Sequence, residues 1–199
     1  MNKNWVGNSN SIYKTLGASN HTEKEREKND YYATDPVAGK LLLEVEPELN
    51  NVWECACGEG HLARVFQKYG KLGLSTDIVD RGYGSNMNFL KSEHSWDGDI
   101  VTNPPYKYAQ EFIEKAMSII DEGRKVCMFL KIQFLEGKKR KKLFKEYPPK
   151  TIYVSSSRIL CAKNGEFDKM KKAGGSAVAY GWFVWEKGYS SETIVRWIN

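Results

Sequence analysis

Apolar residues with helical spacing alternate along the chain with short runs rich in apolar and β-branched residues. Helical spacing is found in three segments, 37–46, 62–69 and 108–120. In the third segment, the apolar residues that share one face are Phe112, Ile113, Ala116, Ile119 and Ile120. Because these segments alternate with strand-like runs, the pattern predicts parallel strands joined by crossover helices.

The strand-like runs predict the order of a central sheet. The runs lie from 52 to a turn at Gly58, at 71–79, very briefly at 88–90, just before Asn103, and at 125–130, 151–154 and 177–186. A strand, glycine turn, helix and second strand that ends in an acid are typical of a doubly wound sheet. We therefore predict an α/β fold with a mainly parallel central sheet, helices on both faces and an antiparallel hairpin formed by the last two strands.

The first 28 residues differ in composition from the rest of the 199-residue chain. They are polar, rich in Asn and Ser, and end in alternating charges. We expect residues 1–28 to form a flexible arm and residues 29–199 to form a single domain. Trp5 and Tyr13 leave two roles open for this arm, a solvated tail or a segment that closes over a ligand.

Several classes of protein are excluded by composition. No run approaches the roughly 18 apolar residues of a membrane helix, and the polar start at 1–4 lacks the apolar stretch of a signal peptide. We therefore expect a cytoplasmic protein with no membrane partner. The four cysteines lack paired spacing, which predicts reduced, buried thiols. His21, His61 and His94 lie far apart in the sequence, so no metal site is expected.

The formal net charge is +5, and it is concentrated in one basic segment, residues 137–150. This segment has a single acid, Glu146, and its basic residues are Lys138, Lys139, Arg140, Lys141, Lys142, Lys145 and Lys150. A second basic group consists of Lys163, Lys169, Lys171 and Lys172. Either group can be a solubilising surface, and together they can also contact a phosphate backbone.

The glycine turn, Gly58 to Gly60, has the pattern of a nucleotide-binding turn or of a simple connection between a strand and a helix. Asp77 ends the next predicted strand, where its carboxylate can accept hydrogen bonds from ribose hydroxyls. Glu54 and Glu59 flank the turn and disfavour an anionic ligand, whereas Glu54 can face a cationic group. These residues favour an adenosine ligand without a pyrophosphate.

A rigid turn, residues 103–106 (the elbow), follows the fourth predicted strand and reads Asn-Pro-Pro-Tyr. Its two prolines fix two φ angles and remove two backbone donors, which leaves carbonyl groups available as acceptors. An amide side chain beside these carbonyls, next to an aromatic ring, suits a flat substrate with an exocyclic amine. A nucleobase fits this description.

These motifs, in this order, resemble those of the S-adenosylmethionine-dependent N6-adenine DNA methyltransferases, particularly small phage-like members. The resemblance covers about residues 29–190, and its specific element is the elbow. It implies a class I, Rossmann-like methyltransferase fold with S-adenosylmethionine as cofactor. It also implies that the segment 30–36 helps to hold that cofactor. The implied cofactor-binding residues are Tyr32, Thr34, Glu54, Ala56, Gly58, Gly60, Asp77, Asn88 and Phe89.

The same resemblance implies that Asn103, Pro104, Pro105 and Tyr106 are the catalytic residues. The side-chain oxygen of Asn103 and the carbonyl of Pro104 accept the two amine hydrogens of a flipped adenine, while Tyr106 stacks on the base. Trp182 is expected against the other face of the base, in preference to Phe183. The implied DNA-contacting residues are Lys138, Lys139, Arg140, Lys141 and Lys142.

Other functions remain compatible with these residues. RNA adenine, cytosine N4 and a protein glutamine side chain each present an amine or amide that the elbow could hold. A nucleic-acid-binding module without catalytic activity is the alternative from another class. The domain has little room for a separate target-recognition domain, so recognition is expected in the loops at 133–150 and 156–176.

Overall fold

The computed structural model describes residues 31–163, 165–172 and 178–199. The arm predicted for residues 1–28 lies outside these residues. The described strands are β1 Tyr32–Thr34, β2 Val52–Glu54, β3 Leu72–Asp77, β4 Ser85–Asn86, β5 Ile100–Thr102, β6 Lys125–Lys131, β7 Thr151–Ser155, β8 Cys161–Lys163, β9 Tyr180–Glu186 and β10 Ile194–Ile198. The described α-helices are α1 Val37–Val45, α2 Ala63–Lys68, α3 Ala109–Ile119, α4 Lys138–Glu146 and α5 Phe167–Lys172.

Eight strands form a central sheet in the order β10-β7-β9-β6-β5-β2-β3-β4. Neighbours from β6 to β4 are parallel, and β9 is antiparallel to both β6 and β7. The predicted mainly parallel sheet is therefore confirmed, as is the antiparallel pairing of the predicted strand at 151–154 with the predicted strand at 177–186. These two strands do not form a simple hairpin, because β8 and α5 lie between them in the chain, and a further strand, β10, follows β9 and pairs in parallel with β7.

Helices cover both faces of this sheet because alternate residues of each buried strand face opposite sides. Cys127 and Phe129 of β6 pack on one side with residues of α1 and α2. Val126 and Met128 pack on the other side with residues of α3 and with Leu143 of α4. The two hydrophobic cores hold the sheet rigid, and with it the carboxyl ends of its strands.

Two short elements differ from the sequence prediction. The segment predicted as a strand at 88–90 is a 3₁₀ turn, Phe89–Lys91, and the edge strand β4 precedes it. The segment 156–176, predicted as a loop, contains β8 and α5. β8 pairs with β1 in a separate antiparallel ribbon of two strands. No helix among the described residues is long and apolar enough to span a membrane.

Candidate active site

A cleft of about 330 Å³ opens at the carboxyl ends of β2, β3 and β5, which are adjacent in the sheet. Ligands of open α/β sheets bind at this edge. The cleft brings together eleven of the sequence-predicted residues, namely Tyr32, Thr34, Glu54, Ala56, Asp77, Asn88, Phe89, Asn103, Pro104, Pro105 and Tyr106. Residues that lie up to 74 positions apart in the chain, Tyr32 and Tyr106, therefore line one space.

The glycine turn joins β2 to α2, and its predicted cofactor-binding residues Gly58 and Gly60 are not among the residues that line the cleft. Gly58 has φ +55°, and a Cβ atom at this position would lie 2.2 Å from the ring of Tyr31. Gly60 has φ +82°, and its Cβ would lie 2.4 Å from the ring of Tyr83. Only glycine fits both the backbone conformation and the close approach of these rings. The two glycines are therefore required by the shape of the turn itself.

Asp77 links the turn to the end of β3. Its Oδ2 accepts a hydrogen bond from the backbone N–H of Gly58 at 2.8 Å, and its Oδ1 accepts one from Val79 at 2.9 Å. A carboxylate offers about four lone-pair positions, so each oxygen keeps acceptor capacity for a ligand. Asp77 can therefore fix the turn and bind hydroxyl groups in the cleft at the same time.

Glu54, the last residue of β2, is 2% exposed. Burial, aided by the nearby charge of Asp77, raises the pKa of its carboxyl group well above the usual value. Its Oε2 atom is buried and has no hydrogen-bond partner among the described residues. A buried acid of this kind is stabilised in its charged form by a cation. The cleft thus suits a ligand that has both hydroxyl groups and an ammonium group, and S-adenosylmethionine has both.

The elbow follows β5 directly. The Nδ2 of Asn103 donates hydrogen bonds to Thr34 Oγ1 at 2.8 Å and to the Tyr32 carbonyl at 3.4 Å. Its Oδ1 is buried and accepts no hydrogen bond from the described part of the chain. The carbonyl of Pro105 accepts the N–H of Tyr108, so this carbonyl is used within the elbow. Asn103 therefore offers the cleft an acceptor rather than a donor.

Trp182 requires a correction to the sequence prediction. Its side chain is fully buried, its ring packs 5.0 Å from that of Phe129, and its Nε1 donates to the Ala38 carbonyl at 2.9 Å. Trp182 is a core residue and does not line the cleft. The residue of β9 nearest the elbow is Tyr180, whose ring centroid lies 6.4 Å from that of Tyr106.

The direction of β9 explains this difference. Because β9 is antiparallel to β6, its first residue, Tyr180, pairs with Lys131 at the carboxyl end of β6. Tyr180 and Trp182 share one face of the strand, but Trp182 lies two residues further into the sheet. An antiparallel strand thus presents its beginning, rather than its middle, to the edge where the cleft opens.

The basic segment folds as helix α4, which the sequence analysis did not predict. The side chains of Lys138, Lys139, Lys141 and Lys142 are exposed. Arg140 donates through Nη1 to the carbonyls of Gln133 and Glu136 at 3.2 and 2.9 Å, so it supports the preceding turn.

A second groove, of about 710 Å³, begins at the elbow and ends at helix α4. Its charged lining residues are Lys107, Lys138, Lys139 and Arg140 together with the acids Glu111 and Glu136, and Tyr106 of the elbow also lines it. Lys141 and Lys142 are not among the residues that line this groove. The structure therefore places the first turn of α4, rather than the whole basic segment, beside the elbow.

The cleft also contains residues that the sequence analysis did not single out, among them His61, Arg81 and Tyr108, and Tyr31 was implied only as part of the segment 30–36. The Arg81 guanidinium lies 4.2 Å from the centroid of the Tyr31 ring, and Tyr31 Oη accepts the N–H of Glu59 at 3.3 Å. Tyr31 thus covers the glycine turn. Its only signal in the sequence was its position beside Tyr32, in the segment that resembles the family's cofactor-binding segment.

Cysteine chemistry has no part in this site. Burial raises the pKa of Cys57 and of Cys161 to about 12, so both thiols stay protonated at neutral pH. All four cysteines are free and buried, as the sequence predicts. A thiol without thiolate character is a poor nucleophile. The site therefore holds acceptors and aromatic rings around the elbow rather than an activated nucleophile.

No protein-family model matches the sequence, and no curated protein matches it either. Solved structures with a similar fold include a candidate class I S-adenosylmethionine-dependent methyltransferase from Listeria monocytogenes (TM-score 0.54, 12% identity, 81% of this chain and 62% of that one). They also include the M protein of the type I restriction enzyme EcoKI (TM-score 0.54, 15% identity, 80% of this chain and 44% of that one).

A third similar structure is a candidate RNA methyltransferase from Pyrococcus horikoshii, with a TM-score of 0.54 and 12% identity over 87% of this chain and 95% of that one. This chain spans less than two thirds of the Listeria protein and less than half of the EcoKI protein. Identities this low establish the fold alone. The chain has the Rossmann-like fold of class I S-adenosylmethionine-dependent methyltransferases.

Proposed function

We propose that this protein transfers a methyl group from S-adenosylmethionine to the N6 amine of adenine in DNA. The observation that supports this most strongly is the buried Oδ1 of Asn103, directly after β5, which no other described residue uses as a hydrogen-bond acceptor. It lies in the same cleft as Asp77 and Glu54. An acceptor for an amine and a set of groups for a methyl donor therefore share one space.

The cofactor fits the residues on the other side of the cleft. Asp77 would accept hydrogen bonds from the ribose hydroxyls, Glu54 would face the ammonium group, and Asn88 and Phe89 would lie against the adenine. When bound, S-adenosylmethionine supplies an electrophilic methyl group on a sulfonium. Because this methyl donor is already activated, the protein needs to orient the acceptor rather than to generate a nucleophile.

The acceptor amine is weakly nucleophilic because its lone pair is delocalised into the ring. Asn103 Oδ1 and the Pro104 carbonyl accept its two hydrogens, which favours a tetrahedral nitrogen with its lone pair directed toward the methyl group. The same acceptors stabilise the positive charge that develops on nitrogen as its bond to the methyl carbon forms and the carbon–sulfur bond breaks, with the thioether as leaving group, and the nitrogen then releases one proton to solvent. Tyr106 stacks on the base, which leaves the helical stack in order to reach the elbow.

DNA is the substrate favoured by the resemblance of the elbow and by the likeness to the M protein of a restriction enzyme. RNA adenine is the second candidate, favoured by the likeness to the RNA methyltransferase candidate from Pyrococcus. The two substrates present the same base to the elbow. They differ in the backbone that must lie along the groove between Tyr106 and α4.

The test is to incubate the protein with methyl-labelled S-adenosylmethionine and with DNA, RNA or a protein mixture. Each substrate is then digested to nucleosides or amino acids, and the labelled product is identified. We expect label in N6-methyladenine from DNA. Label confined to RNA, to N4-methylcytosine or to protein glutamine would replace the proposed substrate. A protein that binds the cofactor and nucleic acid but transfers no label would be the binding module instead.

Exchanging Lys138 and Lys139 for glutamine should weaken DNA binding and reduce its salt dependence. Each phosphate contact contributes about 0.9 to the slope of log K against log salt for duplex DNA, so loss of both should lower the slope by about 2. Binding is measured by fluorescence anisotropy over a range of salt concentrations. Arg140 is left unchanged because it supports the turn before α4.

The matched control exchanges Lys40 and Lys68, which are also exposed but lie on α1 and α2. This pair removes the same charge from the protein. We expect the control to change the slope much less than the pair on α4. Equal slopes for the two double variants would mean that net charge, rather than the groove beside the elbow, attracts the DNA.

A further inference from the structure

The carboxamide of Asn103 is held from behind by β1. Thr34 Oγ1 accepts its N–H at 2.8 Å, a shorter contact than the 3.4 Å to the Tyr32 carbonyl and the 3.8 Å to Cys161 Sγ. Thr34 is 4% exposed, so its hydroxyl is shielded from bulk water. The strongest hydrogen bond of the Asn103 side chain is therefore the one with Thr34.

The orientation of this carboxamide decides what it presents to a substrate. The oxygen and nitrogen ends of an asparagine side chain have nearly the same shape, so packing alone distinguishes them poorly. If the group rotated by half a turn, its N–H bonds would point at the N–H bonds of the substrate amine. Oδ1 stays available when the groups behind Nδ2 accept: the Tyr32 carbonyl can only accept, and the Thr34 hydroxyl accepts when its own proton is directed away from Asn103.

Thr34 reaches this position because β1 pairs with β8. The register places Thr34 opposite Cys161, and the N–H of Asp35 continues the pairing with the Leu160 carbonyl at 3.0 Å. This ribbon is separate from the central sheet. The orientation of Asn103 thus depends on an element 69 residues before it in the chain.

We propose that Thr34 is a positioning residue for methyl transfer, which acts by fixing the orientation of the Asn103 carboxamide rather than by binding the cofactor. The family resemblance implies that Thr34 binds the cofactor. The hydrogen bond from Asn103 to Thr34 instead supports a role in positioning the Asn103 side chain. The inference rests on the proposed function, because it assigns Asn103 Oδ1 to the substrate amine.

The test compares Thr34→Val with Thr34→Ser. Valine keeps the shape and the strand propensity of threonine but removes the acceptor, whereas serine keeps it. We expect Thr34→Val to lower kcat by about 10-fold to 100-fold, with the dissociation constant of S-adenosylhomocysteine unchanged by calorimetry. Thr34→Ser should retain most of the wild-type kcat.

A second measurement is independent of turnover. The side-chain amide signals of Asn103, assigned through their loss in Asn103→Asp, report the hydrogen bond directly in ¹⁵N-labelled protein. We expect these signals to shift in Thr34→Val and to stay in place in Thr34→Ser. If Thr34→Val fails to fold, as judged by its thermal transition, Thr34→Ala is measured in the same way.

Three results would overturn the inference. They are unchanged Asn103 signals in Thr34→Val, a rise in the cofactor dissociation constant with kcat at saturating cofactor unchanged, and equal impairment of the serine and valine variants. If the wild-type protein transfers no methyl group to any nucleic acid, the proposed function fails. The amide signals then still decide whether Thr34 orients Asn103.

Discussion

Replacing Asn103 with alanine should lower kcat for methyl transfer to DNA by about 100-fold to 1,000-fold. Its Oδ1 is the acceptor that the described residues leave unpaired at the end of β5. An acceptor that strengthens its bond as charge develops on the amine acts on the transition state more than on the bound substrate. The loss should therefore be found in kcat, while the dissociation constant of S-adenosylmethionine stays near its wild-type value.

Single-turnover transfer from labelled S-adenosylmethionine measures the rate, and calorimetry with S-adenosylhomocysteine measures cofactor binding. Asn88→Ala is the contrasting variant, since Asn88 lines the same cleft in the part assigned to the cofactor. It should raise the KM for the methyl donor and leave kcat at saturation nearly unchanged. A wild-type rate for Asn103→Ala, or a loss explained by weaker cofactor binding, would remove Asn103 from the chemistry.

The elbow and the cleft could be predicted because each motif follows a buried strand directly. Glu54, Asp77 and Asn103 stand at the ends of β2, β3 and β5, and these strands are parallel neighbours in the sheet. Parallel strands end at one edge, so local sequence order is enough to bring such residues together. No long-range contact had to be known.

Trp182 shows where this reasoning fails. The sequence correctly predicted that Trp182 lies in a strand. Whether a residue of that strand reaches the cleft, however, depends on which end of the strand lies at the edge of the sheet where the cleft opens. Tyr180 precedes the middle of β9 and packs between Tyr106 and Phe129, at 6.4 and 5.3 Å between ring centroids. Strand register is a tertiary property, which periodicity alone does not contain.

The sequence analysis did not predict β1, β8 or α4, because their hydrophobic patterns are too short or contain too few apolar residues. β1 has three residues, too few for a period of two to be recognised, and its partner β8 is more than a hundred residues away. In α4, lysines occupy most positions, and Leu143 is its one buried residue. The charge of this segment thus concealed a helix that is anchored by Leu143, by Phe144, which packs on Phe134, and by Arg140.

Replacing Asp77 with alanine should raise the dissociation constant of S-adenosylmethionine by about 100-fold, or about 2.7 kcal/mol. Two lost interactions contribute to the weaker binding. The cleft loses the carboxylate acceptors for the ribose hydroxyls, and the N–H of Gly58 loses the oxygen that accepts it at 2.8 Å. Calorimetry measures the change, and Asp80→Ala is the control because Asp80 bonds Gly82 within the same loop and does not line the cleft.

A pair of ligands separates these two losses. If Asp77 binds the ribose, the wild-type protein prefers adenosine to 2′,3′-dideoxyadenosine, and Asp77→Ala binds the two nucleosides equally. If Asp77 only supports the glycine turn, the variant binds both more weakly but keeps the wild-type preference. Asp77→Asn should fall between wild type and alanine, because a single amide oxygen replaces two carboxylate oxygens that now accept the N–H groups of Gly58 and Val79. A preference that survives in Asp77→Ala would therefore assign the ribose to another residue and leave Asp77 as the support of the turn.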